Sequence, residues 1–148
     1  GAFGLASAAG ALAAPLAGSL ADRYGPDAVT KIGAALVTVS FALMFLLPLL
    51  PQSAQWGLIA LSAIGFDLGI QATLIAHQTI IYGLDPAARS RLNAILFTLV
   101  FIGMATGAAL GSRVLEHLGW PGVVALTTAA AGVALLIRMT RHSLRATA

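Results

Sequence analysis

The chain has 148 residues, of which 59% are apolar and only 9% charged, and its mean hydropathy is +0.93; a soluble domain needs more charge than this to keep its surface in water. The net charge of +3 and the pI of about 10.2 do not mark a nucleic-acid binder, because the basic residues fall singly between apolar runs and form no stripe. With no cysteine, disulfide frameworks and thiolate metal sites are excluded.

A helix crossing the hydrocarbon core needs about 20 mostly apolar residues. Cutting the sequence at its charges and prolines predicts five such spans, at residues 2–20, 32–50, 56–82, 92–112 and 123–139. A closed barrel is the other way to satisfy a backbone in lipid, but it needs short alternating strands, and these runs are long and uniformly apolar. The expected fold is therefore all-α, a polytopic membrane helix bundle forming one transmembrane domain over residues 1–148. Gly1 opens the sequence and no basic stretch precedes the first apolar run, so no leader is read and the chain is expected to be a piece of a longer polypeptide.

The first span carries Gly4, Ala8 and Ala11 at near-helical spacing, and Pro15, which removes a backbone donor and is expected to kink it. A glycine-bounded turn follows, Gly18-Ser-Leu-Ala-Asp22-Arg23-Tyr-Gly25, with a close charge pair between two apolar runs. After the second span the connection Pro51-Gln-Ser-Ala-Gln55 carries no charge, and Trp56 opens the third. Asp67 is the one acid deep in an apolar run, eleven residues in from Trp56, and is expected near mid-membrane. Gln71 and Gln78 lie within about 40° of it around a helix, so the three make one polar stripe. A buried carboxylate there is costly when charged, which makes the stripe a candidate substrate or proton pathway. The alternative is that Asp67 is satisfied by a neighbouring helix and fixes packing.

His77 falls off the stripe, near the end of the third span, and reads as a hydrogen-bonded interfacial residue; His117 and His142 read as solvated. The next connection holds Asp85, Arg89 and Arg91. On the fourth span Asn93, Phe97, Val100, Met104, Gly107 and Gly111 share a face, either a second lining or an ordinary packing surface, and Gly103, Gly107 and Gly111 recur every four residues as small residues do where helices approach closely. Trp120 precedes the fifth span, and the chain ends on a basic tail with Arg138, Arg141 and Arg145. Arg23, Lys31, Arg89, Arg91, Arg138, Arg141 and Arg145 fall on one side and Arg113 alone on the other, so seven against one places the first and third connections and the C-terminus in the cytoplasm. Trp56 and Trp120 then lie at the outer interface.

The turn at Gly18, Asp22, Arg23 and Gly25 resembles the signature loop of the major facilitator superfamily, G-x-L-A-D-R-x-G, found between the second and third helices of each six-helix half. The segment with Asp85, Arg89, Arg91 and Asn93 resembles the cytoplasmic loop after the fourth helix of a half. One departure is that Pro26 and Asp27 stand where the signature continues with basic residues. The resemblance implies helices eight to twelve of a twelve-helix transporter of the bacterial inner membrane. It also implies an N-terminal half as partner, a small-molecule substrate, alternating access, and a latch role for the loop through Asp22. Proton-coupled efflux of drugs or metabolites is the expected activity, since the stripe has one carboxylate and no cation to hold an anionic solute. No cofactor, metal or nucleic acid is expected. A small structural or assembly membrane protein, or a membrane-embedded enzyme, are the other classes; no phosphate loop, nucleophile elbow or metal-binding pair supports catalysis.

Overall fold

A computed structural model describes Ser19 and residues 23–146, with side chains to residue 140. The first predicted span lies outside the described residues apart from Ser19, as do Gly18 and Asp22. Helix α1 spans Pro26–Leu43 and runs into a 3-10 segment, Met44–Leu49. Gly25 precedes it at φ 84, a conformation that a side chain would strain. Pro26 sits in the first turn, where its missing N–H costs nothing, and Asp27 places a negative charge beside the helix's unpaired amides. Pro48 lies within the 3-10 turn, where it removes one donor of the helical ladder and restricts Leu47 before it.

Helix α2, Gln52–Leu84, begins at once after Pro51. The charge-free connection predicted over 51–55 therefore shrinks to Leu50 and Pro51, and Gln55 explains how. Its Nε2 donates to the carbonyls of Leu47 and Leu50 at 3.1 and 3.0 Å, satisfying the end of the preceding turn from the first turn of the next helix.

A 3-10 turn, Pro86–Ala88, leads into a helical stretch, Arg89–Ala146, that is broken at Gly119 (φ 66, ψ −166). We call its arms α3 (residues 89–118) and α4 (residues 120–146). Three stretches among the described residues are long and apolar enough to cross a membrane, Pro26–Leu49, Gln52–Leu84 and Pro86–Thr140. The third has 55 residues, far beyond the about 20 that one crossing needs, and its break makes it two. Val100, Gly103 and Met104 of α3 line the same cavity as Thr127, Ala130 and Ala134 of α4, so the chain folds back at Gly119. The four helices alternate in direction. One end gathers Asp27, Tyr82, Asn93 and Arg138; the other gathers Met44, Ile59 and Trp120.

The closest crossing is α1 on α2. A Cβ added at Gly33 would meet the Gly69 carbonyl oxygen at 2.7 Å, one at Gly69 would meet the Gly33 carbonyl oxygen at 2.7 Å, and one at Gly65 would strike the Ser40 hydroxyl. Val29 and Ala76, 3% and 0% exposed, pack beside this contact with Ala72 against them. By contrast, a Cβ at Gly103, Gly107 or Gly111 would meet nothing within 4 Å among the described residues. The stripe predicted to mediate close packing is thus open here, and the Gly65 and Gly69 pair, at the same four-residue spacing, does that work instead. Intrahelical bonds from Thr30, Thr38 and Thr127 to carbonyls one turn earlier keep these hydroxyls compatible with apolar surroundings.

Candidate functional site

Asp67 lies in the middle third of α2, half-buried, with Gln71 one turn on and also half-buried. Gly65, Gly69 and Ala76, which face α1, lie about 160–200° away from Asp67 around the helix at 100° per residue. The acid therefore sits on the side of α2 turned from α1. Neither Asp67 nor Gln71 makes a hydrogen bond or ion pair with any described residue, including each other.

Gln78, the third member of the predicted stripe, is held elsewhere. Its Nε2 donates to Asn93 Oδ1 at 3.3 Å, and the Tyr82 hydroxyl donates to the same oxygen at 3.0 Å. An amide on α3 thus ties down two side chains one turn apart on α2, next to the short connection between the helices. Tyr82 was not distinguishable from sequence as part of this node, although its spacing of four from Gln78 is the signal that marks one helix face.

In the connection itself, Asp85 Oδ1 accepts from the Ala87 amide at 2.9 Å and so starts the 3-10 turn, while Arg89 Nε donates to the Tyr82 carbonyl at 3.2 Å. Arg89 does not pair with Asp85; it closes the last turn of α2. Arg91 is exposed. At the other predicted loop, the Arg23 guanidinium lies 5.5 Å from the centre of the Tyr24 ring, and Gly25 supplies the positive φ that lets the chain enter α1.

Asp27, which marks the departure from the signature, finds a partner on a distant helix. Arg138 Nη2 of α4 lies 3.2 Å from Asp27 Oδ1, and His77 of α2 is within electrostatic reach of both. Sequence reading assigned Arg138 to topology alone, and nothing in a 111-residue separation could point to the pair.

Of the second candidate face, Val100 and Met104 line a cavity of about 490 Å³ with Ile70, Thr73 and Ala134. Its walls are almost wholly apolar. Phe66, Ile70 and Thr73 reach it from α2, whereas Asp67 and Gln71 lie about 100° further round. Stripe and cavity therefore use different faces of α2. Among the described residues, no three histidines or carboxylates come together as a metal site would require.

The family model for the Major Facilitator Superfamily matches residues 1–147. The "Uncharacterized transporter YgaY" of Escherichia coli O157:H7 is 36% identical over 121 residues, covering 82% of this chain and 29% of that protein. The "Probable transporter SCO4007" of Streptomyces coelicolor is 30% identical over 145 residues, 98% of this chain and 31% of its own. The "Multidrug resistance protein MdtG" of Proteus mirabilis is 33% identical over 121 residues, 80% of this chain and 28% of its own. The chain spans less than a third of the length of each of these relatives. No solved structure matches it significantly.

Proposed function

The chain belongs to the Major Facilitator Superfamily, and from that premise we propose that it is the helix-eight-to-twelve portion of a secondary active transporter that exports small apolar or cationic molecules in exchange for protons. The observation that carries the reading is Asp67, a half-buried carboxylate unpaired among the described residues, in the middle of a 33-residue apolar helix and on the face turned away from the tight α1 crossing. Such a carboxylate is costly when charged and far cheaper when protonated, so taking up or releasing a proton biases the conformations the transporter visits. Gln71 beside it offers two donors and an acceptor to a passing solute. The 33% identity to a protein named for multidrug resistance supports drugs as the class of solute. The apolar cavity fits the same substrate class.

In this reading the full-length protein alternates between inward-open and outward-open states, its two halves rocking about a central site that the stripe helps to line. The basic end faces the cytoplasm, where the loop at Gly18, Asp22, Arg23 and Gly25 latches against the N-terminal half.

The decisive experiment uses the full-length protein in proteoliposomes with an imposed pH gradient. Asp67→Asn keeps the shape and removes the titratable proton. It should abolish gradient-driven accumulation while substrate binding and downhill exchange persist. A mutant that still concentrates substrate as the wild type does makes Asp67 a packing residue and moves the coupling group to the other half.

A further inference from the structure

Towards the tryptophan end, α1, α2 and α4 enclose a cavity of about 170 Å³ walled by Phe41, Met44, Ile59, Phe66 and Trp120, with Ser62 among the residues that line it. Apolar cavities of about 150 Å³ stay dry and take up a single aromatic ring, so this one has the size for a ring and little more. Phe41 and Phe66 meet with centroids 5.2 Å apart and planes at 51°, a tilt that leaves an edge and a face for a third ring. Trp120 and Ile59 form its exposed rim.

Ser62 is what distinguishes this space from a packing fault. It is 3% exposed, and its hydroxyl has no hydrogen-bond partner among the described residues. Thr127 on α4, which lines the same cavity, donates to carbonyls of its own helix, so the surroundings do not forbid this solution. Thr73 and Thr128 also have hydroxyls unpaired among the described residues, but neither lines this cavity. A hydroxyl buried without a partner is a standing cost that a ligand's own hydroxyl would remove. Water is the poorer occupant, since it needs about two to four polar partners and these walls are chiefly hydrocarbon.

We infer that this cavity is a binding site, separate from the Asp67 stripe, for a small aromatic molecule carrying one hydroxyl group. The ring lies among Phe41, Phe66 and Trp120, and the hydroxyl bonds to Ser62. Ser62 is about 140° from Asp67 around α2, so occupying one site does not require the other.

The test is a fluorine NMR titration of the full-length protein in lipid nanodiscs, with empty nanodiscs subtracted, using 4-fluorophenol and fluorobenzene as probes. Wild type should bind 4-fluorophenol saturably. Ser62→Ala should weaken that probe about fivefold, the size of one net hydrogen bond, and leave fluorobenzene unchanged. Ala63→Phe from α2 and Val123→Phe from α4 each fill the space and should abolish saturable binding of both probes, so a folding defect in one leaves the other to decide. Asp67→Asn should bind both probes as wild type does. The inference is overturned if wild type binds neither probe saturably, if binding survives the filling variants, or if Ser62→Ala treats the two probes alike.

Discussion

A methyl group added at Gly69 would sit 2.7 Å from the Gly33 carbonyl oxygen and 2.7 Å from Val37 Cγ2, and the first of these is backbone that cannot swing aside. Gly69→Ala should therefore force α1 and α2 apart, at a cost of about 1–3 kcal/mol for an overpacked contact. The same change at Gly107 meets open space among the described residues, and its effect should stay within about 0.5 kcal/mol. Thermal unfolding of the two variants in detergent checks this: equal midpoints would mean that the crossing is looser than described. Both glycines belong to four-residue repeats, so the sequence shows that some backbone approaches closely without showing which. Asp67 compounds the difficulty, because the residue that draws the eye stands between Gly65 and Gly69 while facing the opposite way. Its own position mid-helix was legible from hydropathy alone, and its freedom from described partners was not.

At the scale of elements, the spans themselves were legible, but their starts, predicted at residues 32, 56 and 92, fall earlier, at Pro26, Gln52 and Arg89, where a physical stop is written into the chain. Pro26 after Gly25, Pro51, and the pair Asp85 and Pro86 all fall at helix starts in the structure. The last boundary was readable only in outline, because Arg113 marks an interruption while the helix continues to Gly119, whose φ of 66 makes the turn. Pairing between elements was the hidden part. Asp27 and Arg138 join the start of α1 to the far end of α4 at 3.2 Å, with side chains 54% and 24% exposed. At that exposure an ion pair contributes little, about 0.2–1 kcal/mol, and salt screens it. A double-mutant cycle of Asp27→Asn and Arg138→Gln on unfolding should return a coupling in that range that shrinks at high salt. Strict additivity at low salt would show that the contact contributes nothing and that Asp27 serves only the amides of its own helix.

For the whole molecule, the charges that composition made so sparse end up sorted by end. Arg23 and Lys31 stand about the start of α1, Arg89 and Arg91 open α3, and Arg138 closes on Asp27, while Arg113 lies near the turn at Gly119. Alternating helices of similar length turn a linear scatter of basic residues into two unlike faces. This is why the all-helical fold was legible from hydropathy, while side-chain pairings within the candidate site, such as Gln78 with Asn93, which depend on how the helices are brought together, were not. If the excess of lysine and arginine set the insertion, the face with Ser90 lies in the cytoplasm and the face with Ser53 outside. Both serines are exposed, Ser53 in the first turn of α2 and Ser90 in the first turn of α3, so a cysteine at either is open to a reagent on its own side. In intact cells expressing the full-length protein, an impermeant maleimide should label Ser53→Cys and spare Ser90→Cys until the membrane is permeabilised. Labelling of Ser90→Cys alone would invert the orientation. Labelling of both in intact cells would mean that the basic residues do not set a single topology.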